Sequence, residues 1–173
     1  MTGETAMDRK LYLLAELDDT AQGQFKGIEK VIVHNGITGG SQTKNIPYHI
    51  TLSEYPCDRE SEVLEILDNV KNKFRKIDIS YSSMGLFGLK VLFANPDMNA
   101  GLIKLYDFVK GQSLNKNNSL SAHTTLVIDD PENIMRILPE VSKAFNKISG
   151  KIDAVSLYEF FPERLIKRIN LSI

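Results

Sequence analysis

Residues 47–55, PYHITLSEY, decide the fold of this chain. After the first two residues, polar and apolar side chains alternate, which is typical of a β-strand with one buried face. Residues i and i+2 of a strand project to the same side, so His49 and Thr51 share one face. Ile50 and Leu52 then point into the core. The stretch therefore predicts a strand that presents a histidine and a threonine side by side.

The same pattern returns at residues 121–129, SAHTTLVID. His123 and Thr125 share one face of this second predicted strand. The opposite face carries Thr124, Leu126 and Ile128. The chain has three histidines, so two of them stand in matching frames. The third, His34, lies at a predicted helix C-terminus, where a cation suits the helix dipole, and we interpret it as structural.

Helices and strands alternate around the two motifs. Apolar runs bounded by charge or glycine predict strands, and apolar residues at intervals of three and four predict amphipathic helices. The predicted strands outside the motifs cover residues 10–17, 76–88, 89–96, 150–162 and 164–173. The predicted helices cover residues 18–32, 58–74, 98–112 and 131–148, with Pro139 as a candidate kink in the last one.

The order of elements repeats once along the chain. A helix, an HxT strand, a second helix and a pair of strands follow one another in each half, with the motifs at 49–51 and 123–125. No low-complexity linker separates the halves, which favours one compact unit over two independent domains. We therefore expect residues 1–173 to form a single α+β domain with two pseudo-repeat lobes.

Composition and charge exclude several classes of protein. Of the 173 residues, 42% are hydrophobic, which is enough for one well-filled core. The formal net charge is -1, so we expect no bulk binding to polyanions. The N-terminus is polar and lacks the apolar core of a signal peptide. The sequence contains no run of about 18 apolar residues, so we expect no membrane span. Cys57 is the single cysteine and has no disulfide partner in the chain, which favours a cytoplasmic protein.

Two histidine and threonine pairs that face one cleft have the chemistry to hold and cleave a phosphate ester. An imidazole accepts or donates a proton near neutral pH, and a threonine hydroxyl donates a hydrogen bond to a charged oxygen. One neutral histidine takes a proton from attacking water, and the other, charged, gives one to the departing oxygen. Thr51 and Thr125 bind the non-bridging oxygens. This scheme requires no metal and no cofactor, and it makes His49 and His123 the candidate catalytic residues.

The motifs HITL and HTTL resemble the signatures of the two-histidine (2H) phosphoesterases, also called the 2′-5′ RNA ligase-like superfamily. The resemblance spans nearly the whole chain. It implies a bilobal, duplicated α+β fold, with two antiparallel sheets around a central cleft flanked by helices. It also implies an acid and base pair, His49 and His123, and a phosphate-binding pair, Thr51 and Thr125. The substrate it implies is a 2′,3′-cyclic phosphate or a 2′-5′ linkage in an RNA end or a nucleotide.

Two alternative functions stay open. One is a non-catalytic nucleotide-binding or RNA-binding protein with the same cleft. The other is a metal-dependent hydrolase, in which Asp129 or Asp130 joins the two histidines as a ligand. Some RNA-processing members of the family carry an arginine shortly after the second motif, and this chain has the two aspartates there.

Other residues near the motifs are candidates for contacts with the rest of a substrate. A nucleobase stacks well on an aromatic ring. The aromatic candidates are Tyr48, Tyr158, Phe160 and Phe161. Lys44, in the loop before the first motif, is a candidate for a phosphate contact.

Overall fold

The computed structural model describes residues 9–37, 45–112, 121–160 and 162–173, and it contains the strands and helices that the sequence predicts. Within these ranges the strands are β1 (Lys10–Leu17), β2 (His49–Pro56), β3 (Ile77–Phe87), β4 (Val91–Pro96), β5 (Thr124–Ile128), β6 (Ile148–Phe160) and β7 (Arg164–Asn170). The helices are α1 (Asp19–His34), α2 (Glu60–Lys73), α3 (Ala100–Gln112) and α4 (Pro131–Ala144), and a 3₁₀ turn at Cys57–Arg59 precedes α2. None of these helices is long and apolar enough to cross a membrane.

Helix α1 begins and ends at the residues that its local chemistry favours. Asp18 is the N-cap, and its carboxylate accepts a hydrogen bond of 3.0 Å from the backbone of Ala21. Gly36 follows the helix with φ of 87°, a conformation that glycine adopts without strain. The buried stripe includes Phe25 and Ile32. This stripe holds α1 against the sheet next to both motifs.

The strands form one antiparallel sheet in the order β2-β1-β6-β3-β4-β5, and β7 pairs with β6 beside this path. Strand β6 has 13 residues and serves both halves of the molecule. Residues 148–152 pair with β3, and residues 152–160 pair with β1. Strand β7 lies along the other edge of that second part. The two sheets that the family resemblance implied are therefore two halves of one sheet, joined because β6 is long enough to pair in both.

The two ends of this sheet meet. Strands β2 and β5 stand at opposite ends of the strand order, yet Thr124 Oγ1 donates a hydrogen bond of 3.0 Å to the carbonyl oxygen of His49. The same hydroxyl lies 2.8 Å from the hydroxyl of Tyr81. Since the threonine hydrogen is used on His49, Tyr81 is the donor to Thr124. The sheet thus curls until its two ends, each carrying one motif, are in contact.

Apolar side chains cover both faces of the first half of the sheet. The main core packs one face against the helices and includes Leu13 and Phe25. A second, smaller cluster lies on the other face, where Leu14, Ile46 and Tyr158 are buried beside Tyr12 and Phe160. Leu13 and Leu14 belong to different clusters because successive side chains of a strand point to opposite faces.

Candidate active site

The first motif lies on the face of the sheet opposite the main core. The register of β1 and β2 pairs Glu16 with His49 and Leu14 with Thr51. Paired residues of an antiparallel ladder share a face. Ile50 is fully buried on the other face, as the alternation predicted. His49 and Thr51 therefore project together, away from the main core.

The second motif shows the same alternation at the start of β5. Thr124 and Leu126 are buried, and Thr125 between them is half-buried. Ile128, on the face of Thr124, is 36% exposed where β5 ends. Val127, on the face of Thr125, is buried. The hydroxyl of Thr125 thus belongs to a strand that is largely covered on both sides.

The two histidine rings are held in the same way. His49 Nδ1 lies 2.8 Å from the carbonyl oxygen of Pro47, and His123 Nδ1 lies 2.6 Å from that of Ser121. In each case the partner is the carbonyl two residues before the histidine. Because a carbonyl only accepts, Nδ1 carries the hydrogen, and the lone pair of the neutral ring is on Nε2. Each motif thus presents an anchored imidazole with Nε2 as the atom suited to proton transfer.

Burial controls the protonation of His49. Loss of water around the ring lowers its pKa from the ordinary value of 6.5, and the charge of His123 acts in the same direction. The hydrogen bond to Pro47 and the carboxylate of Glu16 oppose this shift without reversing it. His49 is therefore neutral at pH 7. The effect of His123 on this pKa shows that the two imidazoles interact electrostatically across the contact between the halves.

His123 lies against a pair of aromatic rings. Its ring centroid is 4.8 Å from that of Phe87 and 5.4 Å from that of Phe93, both with the rings edge to face. The two phenylalanine rings stack with their centroids 4.1 Å apart. A Cβ atom at Gly85 would lie 2.7 Å from the ring of Phe93, so the glycine makes room for that ring. A glycine inside a predicted strand was the signal in the sequence for this packing, since such a glycine often marks a place where another group approaches the backbone closely.

A cavity of about 440 Å³, lined by both polar and apolar side chains, opens where the two halves meet. His49 and Thr125 line it, together with Glu16, Arg168 and residues of α1. His123 and Thr51 are not among the lining residues. The cavity is thus lined by His49 of the first motif and by Thr124 and Thr125 of the second, so both halves of the molecule contribute to it.

An ion pair between buried Glu16 and exposed Arg168 forms one wall of the cavity. Glu16 is 1% exposed, and its Oε2 accepts a hydrogen bond of 2.6 Å from Arg168 Nε. Arg168 Nη1 donates to Asn170 Oδ1 at 2.5 Å. The second carboxylate oxygen of Glu16, Oε1, is buried and has no hydrogen-bond partner in the described parts of the chain. Sequence reasoning missed this pair, although one acid inside the apolar run at residues 10–17 was a signal.

A glutamine of α1 fixes the segment that leads into the first motif. Gln22 Nε2 donates to the carbonyl oxygens of Tyr48, at 2.8 Å, and Leu17, at 3.1 Å. Gln22 Oε1 accepts from the backbone N–H of Tyr48 at 2.9 Å. The side-chain amide thus pairs with both backbone groups of the residue before His49. No pattern in the sequence indicated Gln22, because this pairing joins positions that are far apart in the chain.

The aromatic candidates from the sequence lie in different surroundings. Tyr158 and Phe160 belong to the second apolar cluster, on the same face of the sheet as His49, with ring centroids 6.2 Å apart. Tyr48 stacks on Phe25 at 4.9 Å, against α1. The fourth aromatic candidate, Phe161, and the candidate for a phosphate contact, Lys44, lie outside the described residues.

The first aspartate after the second motif helps to form the start of α4. Asp129 Oδ1 accepts hydrogen bonds from Asn133 Nδ2, at 2.8 Å, and from the backbone of Asp130, at 2.7 Å. These two bonds lower the pKa of the Asp129 carboxyl group. Among the described residues, no three histidine, cysteine, aspartate or glutamate side chains gather closely enough to hold a metal ion. The expected ligand set of a metal-dependent hydrolase is thus not assembled from them.

Comparison with solved structures identifies the fold. The complex of E. coli LigT with NADP+ has a TM-score of 0.62 at 16% sequence identity, over 95% of this chain and 99% of that one. A structure described as a phosphoesterase has a TM-score of 0.63 at 16% identity, over 95% and 99%. TT0787 from Thermus thermophilus has a TM-score of 0.64 at 10% identity, over 94% and 97%.

LigT has also been crystallised with ATP and with 3′-AMP. Neither a protein-family model nor the sequence of a curated protein matches this chain. The structural likeness nevertheless extends over nearly the whole length of each protein. It confirms the fold that the two HxT motifs implied: this chain has the duplicated α+β fold of LigT, a 2H phosphoesterase.

Proposed function

We propose that this protein is a 2H phosphoesterase: a phosphodiesterase that hydrolyses a 2′,3′-cyclic phosphate or a 2′-5′ linkage in an RNA end or a nucleotide, without a metal ion. The observation that carries the proposal is the matched anchoring of the two histidines. Each ring gives its Nδ1 hydrogen to the carbonyl two residues before it, so each Nε2 is set up for proton transfer. Two structural histidines in unrelated places have no reason to share this arrangement.

The protonation of His49 suggests how the two histidines divide the work. Burial lowers its pKa, so it starts neutral and suits the role of general base. His49 Nε2 takes a proton from water while the water oxygen bonds to phosphorus. The bond from phosphorus to the 2′ or 3′ oxygen breaks, and His123, as imidazolium, gives that oxygen a proton. The products are a phosphomonoester and a free hydroxyl group.

The threonines complete the site in this proposal. During attack, negative charge grows on the two non-bridging oxygens of the phosphate, where a hydroxyl donor is most effective. Thr125 lines the cavity, and Thr51 lies on the same face of β2 as His49. The cavity volume, about 440 Å³, is in the range of small-molecule sites. That LigT has been crystallised with nucleotides supports a nucleotide as the ligand.

The proposal is tested by assaying nucleoside 2′,3′-cyclic phosphates and 2′-5′-linked dinucleotides in the presence of EDTA. We expect turnover by the wild type, and a loss of about 10²–10⁴-fold or more in kcat for His49→Ala and for His123→Ala, because each removes a proton-transfer group. His34→Ala is the matched control, since this exposed histidine at the end of α1 does not line the cavity, and it should keep full activity.

Each other result points to a different function. If EDTA abolishes turnover and Zn²⁺ or Mn²⁺ restores it, the protein is a metal-dependent hydrolase. If it binds nucleotides but cleaves none of these bonds, it is a binding protein with the same cleft. Near-normal turnover by either motif variant would show that paired histidines are not the catalysts, whatever the fold.

A further inference from the structure

We infer that Glu16 and Arg168 form a subsite that recognises the nucleoside part of the substrate, with Glu16 Oε1 accepting a hydrogen bond from a neutral donor on the sugar or the base. This inference rests on the proposed function, which assigns the phosphate to the histidines and threonines and leaves the rest of the substrate without contacts. The first argument is the state of the carboxylate. Glu16 is buried, and Oε1 has no partner in the described residues, whereas Oε2 is held by Arg168 Nε at 2.6 Å.

A buried oxygen without a partner costs free energy, so its persistence needs an explanation. Here Glu16 lines the same cavity as His49 and Thr125. A group that enters the cavity with a hydrogen-bond donor satisfies Oε1 and removes that cost. Glu16 is also the cross-strand partner of His49, so the donor would lie next to the reacting phosphate. A ribose hydroxyl or an N–H group of a nucleobase has this chemistry.

The charge of the wall indicates what kind of group is selected. Arg168 neutralises Glu16 through one oxygen, so the pair as a whole does not attract a strong cation. A second phosphate at this position would meet the buried carboxylate at close range and be repelled. A neutral hydrogen-bond donor needs no net negative charge to attract it and is not repelled by the carboxylate. The subsite therefore fits an uncharged part of the nucleotide and not another phosphate.

The substitution Glu16→Gln changes the hydrogen-bonding group at the position of Oε1 from an acceptor to a donor. Arg168 Nε donates and needs an acceptor, so the glutamine carbonyl oxygen takes the place of Oε2 and its NH₂ group takes the place of Oε1. The cavity then presents a donor where the wild type presents an acceptor. Glu159→Gln is the matched control: Glu159 is also buried on a strand and paired with an arginine, Arg164 at 2.8 Å, but it does not line the cavity.

The experiment compares three substrates in the wild type and in both variants: adenosine 2′,3′-cyclic phosphate, methyl riboside 2′,3′-cyclic phosphate and ethylene phosphate, which lacks the nucleoside. For Glu16→Gln we expect KM for the adenosine substrate to rise about 10-fold or more while KM for ethylene phosphate stays the same, whereas the loss of the carboxylate charge beside His49 changes kcat by the same factor for all three substrates. A matching rise for the methyl riboside identifies a sugar hydroxyl as the donor, and its absence identifies the base. Glu159→Gln should change none of these constants.

Two results would overturn the inference. One is an unchanged KM for all three substrates in Glu16→Gln. The other is an equal rise in KM for all three substrates, ethylene phosphate included, because Glu16 would then act at the phosphate or through His49 and not on the nucleoside. If Glu16→Gln does not fold, substrate analogues tested on the wild type decide the question. Purine riboside 2′,3′-cyclic phosphate lacks the amine of the base, and a 5′-deoxy analogue lacks the sugar hydroxyl, so each removes one candidate donor. If both analogues have the same KM as the adenosine substrate, the subsite is refuted.

Failure of the proposed function would give a different result. In that case the wild type cleaves none of the three substrates, and calorimetry with adenosine 3′-monophosphate takes the place of kinetics. Weaker binding by Glu16→Gln than by Glu159→Gln and the wild type then supports the subsite. Equal binding by all three proteins refutes it.

Discussion

His49 and His123 share a motif and a tautomer but have different surroundings. His49 is half-buried and neutral at pH 7, beside the carboxylate of Glu16. His123 has two aromatic rings along its edges. The proposed reaction needs one neutral and one charged histidine, and burial favours the neutral form of His49. The asymmetry of the two sites is therefore part of the proposed mechanism.

The lowered pKa of His49 gives the protein a specific response to acid. Below about pH 6.5 an unfolded chain protonates this histidine, whereas the folded chain keeps it neutral down to its lower pKa. The unfolded state binds more protons in that window, so the free energy of unfolding falls as the pH falls through it. His49→Gln removes this contribution. We expect the variant to gain stability relative to the wild type as the pH falls from about 7.5 to 5.5.

Urea denaturation at several pH values in this range measures the effect. The control is His34→Gln, which changes an exposed histidine, and its stability should run parallel to that of the wild type. Parallel curves for His49→Gln as well would show that burial does not shift this pKa.

The two motif threonines should differ in their effect on catalysis. Thr125 lines the cavity and Thr51 does not, although both are half-buried. We expect Thr125→Val to lower kcat by up to about 10²–10³-fold, by analogy with the loss of one oxyanion donor, and Thr51→Val to lower it less. Steady-state kinetics on a cyclic nucleotide measures both. A larger loss for either threonine than for the histidine variants would contradict their role as helpers of a shared charge.

At the scale of elements, the same glycine-to-alanine change should have opposite effects in a strand and in a helix. In β3, a Cβ at Gly85 would lie 2.7 Å from the ring of Phe93, which touches His123. We expect Gly85→Ala to cost about 1–3 kcal/mol and to lower kcat, because the ring must move against the histidine. In α1, a Cβ at Gly23 meets nothing, so Gly23→Ala should stabilise the protein by about 0.5–1 kcal/mol.

Thermal denaturation and kcat together test this pair. Unchanged kcat in Gly85→Ala would show that the aromatic rings do not position His123. A destabilised Gly23→Ala would show that α1 needs flexibility at this position.

The elements themselves follow from the sequence because their signals are local. Alternation predicted β2 and β5, and intervals of three and four predicted α1 and α2, each within a few residues of its observed bounds. The same reasoning placed His49 and Thr51 on one face of their strand, opposite buried Ile50, as the register of β2 has them. It did not indicate Gln22, since nothing local distinguishes a glutamine that pairs with the backbone of Tyr48 from one that faces water.

At the scale of the whole molecule, the missing information is which strands pair. The family resemblance implied two sheets, and the described residues form one, since β6 pairs in both halves. Strand pairing depends on contacts between distant parts of the chain, and these have no local signature. The pair of Glu16 and Arg168 escaped notice for that reason: the two residues come from opposite ends of the chain and meet only because β1 and β7 both flank β6.

The contact that closes the sheet gives a test of how the two halves cooperate. Thr124, the middle residue of the second motif, donates to the carbonyl of His49 and accepts from buried Tyr81. Thr124→Val keeps the shape but leaves both partners unsatisfied, so we expect a loss of about 1–3 kcal/mol in stability. Because the lost bond also sets the position of β2 against β5, kcat should fall as well. Thr124→Ser keeps the hydroxyl and should restore most of both, and an unchanged kcat in Thr124→Val with reduced stability would show that the halves hold their histidines independently.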